Sequence, residues 1–169
     1  MRSEGFGFKD VFVHIDLKGA PPLFDFLMRY LEFVISRFEY LVTGFVFEFE
    51  DMFPFQGHLK SVASPKAYTL EQIQYMTSFL KRKKLKIVVL VQTFGHLEYV
   101  LKRNRFADFR EQADNPISVC SLKQGSIELI ASLVSQVVDG FGAKNIDFLH
   151  IGADEVFNFA SCRECSLFA

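Results

Sequence analysis

The sequence predicts an α/β fold in which parallel strands alternate with helices. Four short apolar runs are rich in β-branched and aromatic residues, have strand-like lengths and end in polar residues. Between them lie stretches with apolar residues at helical spacing. The resulting order is β-α-β-α-β-α-α-β, which implies parallel strands joined by right-handed crossovers.

The four apolar runs predict buried strands in chain order. Their composition favours strands over helices because Val, Ile and Phe pack well on a pleated surface. The predicted strands are Val11–Asp16, Gly44–Asp51, Lys86–His96 and Ile146–Glu155.

The intervening stretches carry helix boundary signals. Pro21 and Pro22 precede the first helix, and Thr69 with Gln72 matches a capping box at the start of the second. Gly140 follows the last periodic stretch and is typical of a helix end. The predicted helices are Leu23–Tyr40, Thr69–Lys83, Leu97–Gln112 and Gln124–Val138.

The length, composition and net charge of the chain limit the classes of function that it can have. The 169 residues suit one domain, and half of them are hydrophobic, which excludes a disordered chain. The net charge of -1 argues against nucleic-acid or anionic-membrane binding, and no apolar run is long enough to span a membrane. The 21 Phe and absent Trp suggest that most rings belong to the core.

The three cysteines do not form a disulfide framework, and the N-terminus does not resemble a secretory signal. We therefore expect a cytoplasmic or nuclear protein. Cys162 and Cys165 form one CxxC pair without a second pair at metal spacing, so we interpret them as reduced surface thiols. A structural zinc or redox role is the alternative, and no metal or cofactor is expected.

Polar residues gather where the predicted strands end, which is the edge that carries sites in parallel α/β folds. Strand alternation places His150 and Asp154 on one face with Phe148 and Gly152, and directs Leu149, Ile151 and Ala153 toward the helices. Either these groups form a common site or they are an internally hydrogen-bonded rim. The candidates are His14, Asp16, Glu48, Glu50, Gln92, His96, His150 and Asp154.

The adjacent carboxylates Asp154 and Glu155 are the most specific of these signals. At a strand end, partly buried, they could provide an acid beside a charged partner, as glycoside hydrolysis requires. A bare Asp-Glu pair is also common on protein surfaces.

The run from His150 to Glu155 resembles the His-x-Gly-x-Asp-Glu signature of family 20 glycoside hydrolases, the β-N-acetylhexosaminidases. Stretches 13–22, 48–54 and 91–96 are similar to that family in the same order, so the resemblance covers residues 11–159. It implies a TIM (β/α)8 barrel, of which residues 1–169 would supply about the first four βα units, the N-terminal portion of the catalytic domain. A complete barrel needs about 200 residues or more.

The resemblance also implies a substrate and a mechanism. The family removes terminal N-acetylgalactosamine or N-acetylglucosamine from glycoconjugates by substrate-assisted retention. By that analogy Glu155 is the general acid, and Asp154 orients the acetamido group. His96 would lie near the acid, His150 would make a supporting hydrogen bond, and Asp16 and Asp51 would hold sugar hydroxyls or lie just behind them. Glu48 and Glu50 are weaker candidates.

Two departures from the family pattern stand out. Val11 lies where related enzymes carry a sugar-binding Arg, a role that Lys18 could take over. The tryptophan-containing second half of the barrel is absent, so strands one and four would be unpaired edges prone to self-association. The competing interpretations are a non-catalytic remnant or interaction module of the same fold and, less favoured because no compact histidine set is visible, a metal-dependent hydrolase.

Overall fold

The computed structural model describes residues 7–167 and has the predicted α/β architecture. Four parallel strands form one sheet in the order β1-β2-β3-β6. They are β1 (Phe12–Asp16), β2 (Gly44–Glu48), β3 (Lys86–Leu90) and β6 (Phe148–His150). Since all four run parallel and each later strand is added at the same side, the sheet has the topology of part of a (β/α)8 barrel.

Three long helices connect the sheet strands. They are α1 (Phe24–Arg37), α2 (Leu70–Arg82) and α4 (Ser126–Phe141). The predicted capping box is present, because the Thr69 side chain accepts from the Gln72 N–H while the Gln72 side chain accepts from the Thr69 N–H. It satisfies two amide donors that would otherwise lack partners at the start of α2.

The predicted helix over Leu97–Gln112 is wrong. A single helical turn, α3 (Glu98–Leu101), and a 3-10 segment, Asn104–Phe109, lead into an antiparallel hairpin of β4 (Arg110–Gln112) and β5 (Asn115–Val119). The Arg110 side chain donates a hydrogen bond to the Leu101 carbonyl oxygen. This oxygen is therefore satisfied without an amide from a continuing helix. Tertiary packing overrides the local periodicity here, since Phe106 is buried.

The second, third and fourth sheet strands end earlier than predicted, whereas β1 ends at Asp16 as predicted. The second strand stops at Glu48, and Glu50–Met52 forms a 3-10 turn. The third stops at Leu90 and the fourth at His150. The polar tails are thus loops, in which side chains no longer alternate strictly between faces.

Phenylalanines of β2 form the centre of the core. Phe45 and Phe47 stack with centroids 6.0 Å apart, and Phe141 of α4 lies 6.2 Å from Phe47. Most phenylalanines of residues 7–167 lie in the core or pack against it, as predicted, but several are exposed. Exposed phenylalanines are Phe8, Phe26, Phe33, Phe38, Phe148, Phe157 and Phe159.

At the N-terminal end of the strands, the two edges of the curved sheet approach each other on its inner face. The rings of Phe12 (β1) and Phe148 (β6) meet edge to face with centroids 6.4 Å apart. Gly44 lies beneath this contact, and a Cβ there would be 2.7 Å from the Phe12 ring and would overlap the Lys86 carbonyl oxygen. The absence of a side chain at Gly44 is what lets the two edges meet.

The outer face of β6 is not covered as expected. Leu149 and Ile151 were predicted to meet helices, yet both are exposed, as is Ala153. Within residues 7–167 the only helix after β6 is the four-residue α5 (Arg163–Ser166), which is too short to cover the strand. No helix in that range is long and apolar enough to cross a membrane.

Candidate active site

The register of the sheet aligns polar side chains at its C-terminal end. Asp16, Glu48, Leu90 and His150 are successive cross-strand neighbours, so their side chains share the inner face. Three of the four strands therefore deliver a titratable group to one row, and β3 contributes Leu90.

Glu48 is the buried centre of this row. Its residue is 4% exposed, its Oε1 accepts a 2.9 Å hydrogen bond from Gln92 Nε2, and its Oε2 lies 3.1 Å from His14 Nε2. A carboxylate so buried is stable only when both oxygens have polar partners. From the sequence Glu48 is one of the weaker candidates. In the structure its carboxylate links strands one, two and three.

Lys18 supplies positive charge beside these carboxylates. Its Nζ lies 3.5 Å from Asp16, 3.6 Å from Glu50 and 3.9 Å from Glu48. Desolvation lowers the pKa of the Lys18 ammonium, but the three carboxylates outweigh this effect and the net result is a raised pKa. The side chain is 44% exposed, so its charge remains accessible to a ligand.

Glu50 behaves differently from its neighbours. Burial raises its pKa to about 8, although Lys18 opposes the rise, and the charges of Glu48 and Asp16 add to it. Its backbone is left-handed, with φ of 45°, a conformation that costs energy for a residue with a side chain. This strained residue is the first of the 3-10 segment that follows β2, and its backbone conformation sets the position of the carboxyl group.

Tyr99 of α3 is a buried residue near this group that sequence reasoning missed. Burial raises the pKa of its phenol, and the negative charges of Glu50 and Glu48 add to that effect. The only available signal was a tyrosine in a predicted helix following the third strand, which does not distinguish it from an ordinary core residue.

His96 and the Asp154–Glu155 pair form a second cluster at the ends of β3 and β6. His96 Nε2 lies 3.3 Å from Glu155 Oε2 and 3.9 Å from Asp154 Oδ2. His96 and Glu155 both have left-handed backbones, with φ of 53° and 45°. Left-handed backbones at non-glycine residues cluster at functional sites, where surrounding contacts hold the strain.

Gly95 allows this close approach. A Cβ at Gly95 would lie 3.0 Å from the Asp154 carbonyl oxygen and 3.1 Å from that of Glu155. Glycine thus lets the loop after β3 pack directly against the backbone of the carboxylate pair.

The carboxylates themselves are more exposed than predicted. The Asp154 and Glu155 side chains are 61% and 67% exposed, whereas partial burial was expected. No described element covers the inner face opposite them, so solvent reaches both groups.

The His150 side chain forms a hydrogen bond with the backbone. Its Nδ1 accepts a 3.0 Å hydrogen bond from the Gly152 N–H, which fixes the ring against the turn that leads to Asp154. Gly152 has φ of 48°, and a Cβ there would overlap Gln92 Oε1. The turn thus requires glycine, both for its backbone and for its contact with the strand-three loop.

Asp51, predicted to hold sugar hydroxyls or lie behind them, makes its closest ion pair with Lys102, at 4.0 Å. Its side chain is 15% exposed, so it lies behind the surface of the site.

Two groups of potential metal ligands occur within residues 7–167. In each, the candidate atoms lie within 4.8 Å of one another. The first is His96 with Asp154 and Glu155, which are exposed carboxylates. The second combines Glu111 with the three cysteines, and it overturns the interpretation of the CxxC pair as surface thiols, because Cys162 is buried.

Comparisons with known proteins agree with the resemblance seen in the sequence. No family model matches the chain. Hexosaminidase D of Bos taurus is 37% identical over 147 residues, which are 86% of this chain and 40% of that protein. Hexosaminidase D of Homo sapiens is also 37% identical over 147 residues, or 29% of its length. The chain therefore spans less than half the length of the curated relatives it matches.

Solved structures give the same fold. The Flavobacterium johnsoniae chitobiase FjGH20 superposes with a TM-score of 0.73 at 15% identity, covering 96% of this chain and 26% of that one. The GH20 exo-β-N-acetylglucosaminidase of Vibrio harveyi has a TM-score of 0.73 at 17% identity, with 96% and 30% covered. At these identities the likeness shows the fold. The chain is thus a relative of hexosaminidase D with the fold of part of a family 20 glycoside hydrolase barrel, as its sequence resemblance predicted.

Proposed function

We propose that residues 1–169 are the acid-bearing, N-terminal portion of a β-N-acetylhexosaminidase barrel, which hydrolyses terminal N-acetylgalactosamine or N-acetylglucosamine from glycoconjugates. The observation that carries the proposal is the 3.3 Å contact between His96 Nε2 and Glu155 Oε2 at the C-terminal rim of a partial barrel. That rim is where TIM-barrel enzymes carry their active sites.

Glu155 is the proposed general acid. The acetamido oxygen of the sugar attacks the anomeric carbon while the glycosidic C–O bond breaks, and the Glu155 proton moves to the leaving oxygen. The resulting Glu155 carboxylate then takes a proton from the water that opens the cyclic intermediate. The exposure of Glu155 leaves it accessible to a glycosidic oxygen, and His96 holds its carboxyl group in place.

Asp154 is the proposed partner of the acetamido group. It precedes the acid directly, and its Oδ2 lies 3.9 Å from the same imidazole nitrogen. A carboxylate at this position can orient the acetamido N–H and offset the positive charge that develops on the cyclic intermediate.

The proposed sugar-binding side is the cluster that Lys18 forms with the carboxylates of Asp16, Glu48 and Glu50. Asp16 and Lys18 are both about 45% exposed at their side chains, and they present an acceptor and a donor next to each other. Lys18 can bind hydroxyls in place of the Arg expected at Val11, but as a point charge without the bidentate geometry of Arg. His150 and Asp51 are proposed to position the loops behind these groups.

The mechanism is tested with matched chromogenic substrates on the whole chain. p-Nitrophenyl N-acetyl-β-D-glucosaminide and galactosaminide should be hydrolysed, whereas the p-nitrophenyl β-D-glucoside and galactoside, which lack the acetamido group, should not. Equal turnover of the two classes would contradict substrate assistance. The ratio between the two N-acetyl substrates measures the gluco or galacto preference.

A second candidate function is a non-catalytic interaction module that self-associates through its sheet edges. The observation that favours it is the exposure of Phe148 and Leu149 in β6 and of Ile151 just after it, because β6 pairs only with β3 in the described residues. Sedimentation velocity over a range of concentrations tests this alternative. A single monomer species together with turnover would contradict it.

We also propose a cytoplasmic or nuclear location. Its support is that Cys120, Cys162 and Cys165 are all free thiols. Imaging of the tagged protein in cells would test it, and accumulation in a secretory compartment would contradict it.

A further inference from the structure

The hairpin and the segment after Glu155 bring the chain's three cysteines together. Cys162 is the N-cap of α5 and Cys165 lies within that helix, while Cys120 follows β5 about forty residues earlier in the chain. Glu111 of β4 faces the same point. Cys120 is fully buried, Cys162 is 8% exposed and Glu111 is 5% exposed, while Cys165 is half-buried, so this cluster of soft and acidic groups is largely internal.

The sulfur separations fit a shared metal better than a disulfide. Cys120 Sγ lies 3.4 Å from Cys162 Sγ and 3.5 Å from Cys165 Sγ. A disulfide requires about 2.05 Å. Two thiolates bound at about 2.3 Å to a tetrahedral zinc ion lie roughly 3.8 Å apart, close to the separations found here.

The Glu111 carboxylate supplies a fourth ligand atom beside the three sulfurs. Its Oε1 accepts a 2.8 Å hydrogen bond from the Cys162 N–H, while its Oε2 lies 3.7 Å from Cys165 Sγ and remains directed at the sulfurs. Within residues 7–167 no Lys, Arg or His nitrogen lies within 4.0 Å of this buried carboxylate. A buried carboxylate calls for a compensating positive charge.

We propose that Cys120, Cys162, Cys165 and Glu111 form a structural zinc site. Four protein ligands close the coordination sphere, as in structural rather than catalytic zinc centres. Thiolates favour zinc over hard cations such as magnesium or calcium. On binding, each thiol loses its proton to solvent and no electron is transferred. The Cys165 N–H donates to Cys162 Sγ at 3.3 Å, a contact that stabilises a thiolate ligand from behind.

The zinc ion would join two segments, called arms below: the one that follows the candidate acid Glu155 and the one that follows His96. The β4–β5 hairpin follows His96, and the CxxC segment follows Glu155 by seven residues. Near this point the two arms are also joined by the Ser118 hydroxyl, which donates to the Phe157 carbonyl at 2.9 Å. The four ligands can bind zinc whether or not the chain is a hydrolase.

The test uses the whole chain produced in zinc-containing medium, desalted and analysed for metal by mass spectrometry. We expect one zinc per chain, its loss in Cys120→Ser, and retention in Glu128→Gln, an acid-to-amide change at an exposed position of α4 outside the ligand set. Replacement by cobalt should give the visible absorption of a tetrahedral thiolate site, and Glu111→Gln should shift these bands. Equal zinc in wild type and Cys120→Ser would overturn the proposal.

Thiol reactivity of the unmodified chain covers the case in which Cys120→Ser fails to fold. All three cysteines of the chain lie in the cluster, so a thiol reagent reports on it alone. We expect slow reaction until a chelator is added, followed by reaction of three thiols and release of one zinc. Immediate reaction without chelator, or a disulfide detected under non-reducing conditions, would overturn the proposal. Neither readout depends on glycosidase activity.

Discussion

The carboxyl group of Glu50 lies 3.6 Å from the ammonium of Lys18, yet burial raises its pKa to about 8. The desolvation of Glu50 thus outweighs the attraction of a single ammonium that is itself 44% exposed. The groups that face Glu50 include two other carboxylates, Glu48 and Asp16, which add to the rise. At neutral pH this carboxyl group mainly holds its proton.

This shift predicts a stability that falls as the pH rises. The Glu50 pKa rises from an ordinary 4.5 to about 8 on folding, so the folded protein binds the extra proton between these values. The stabilisation is fully present below pH about 4.5 and is lost by about 8, with a slope of at most about 1.4 kcal/mol per pH unit. Urea unfolding of wild type and Glu50→Gln across this range measures it.

In Glu50→Gln this slope should disappear, because the amide does not titrate. Glu128→Gln, an exposed acid on α4, is the control and should keep the wild-type slope. Parallel pH profiles for wild type and Glu50→Gln would show that the pKa of Glu50 is not raised.

Gln92 is predicted to stabilise the buried Glu48 carboxylate. Gln92→Ala removes the 2.9 Å hydrogen bond to Oε1 and leaves this oxygen with the 3.9 Å Lys18 contact alone, while His14 still contacts Oε2. The free energy of unfolding should fall by about 1–3 kcal/mol, the cost of an unsatisfied buried polar group. Gln74→Ala on the exposed face of α2 should change it by less than about 0.5 kcal/mol. Equal effects of the two variants, measured by urea unfolding, would contradict the network.

Gly152 is predicted to be intolerant of a side chain for reasons beyond its φ angle. A Cβ would overlap Gln92 Oε1 and approach the Gln92 Cα to 3.0 Å. Gly57→Ala is a matched control, because Gly57 has a φ of 59° but an alanine methyl group there would meet nothing within 4 Å. Gly152→Ala should lower the free energy of unfolding, measured in urea, by at least about 1 kcal/mol more than Gly57→Ala. Similar losses would mean that the turn can move away from Gln92.

The strand positions and the polar rim could be predicted from the sequence because they depend on local patterns. Val, Ile and Phe runs mark β1, β2 and β3, and the polar tail of each run marks the sheet edge that carries the site. The residues from His150 to Glu155, together with stretches 13–22, 48–54 and 91–96, also carry the resemblance to a family. Sequence comparison and fold agree with that resemblance.

The parts that could not be predicted depend on long-range contacts. Apolar spacing over Leu97–Gln112 matched a helix, whereas the buried Phe106 and the Arg110 contact with the Leu101 carbonyl produce a turn and a hairpin. The cysteine cluster requires the same hairpin, since Cys120 meets the CxxC pair only after β4 and β5 fold together. Spacing along the chain carries no signal for such a contact.

The proposed role of Glu155 as the general acid can be tested by turnover. The most direct measurement is the turnover of p-nitrophenyl N-acetyl-β-D-glucosaminide by the wild-type chain, Glu155→Gln and the control Glu128→Gln. We expect turnover by wild type and Glu128→Gln and a fall of about 10²–10⁴-fold in Glu155→Gln. Undiminished turnover in Glu155→Gln, or no turnover by the wild-type chain, would contradict it.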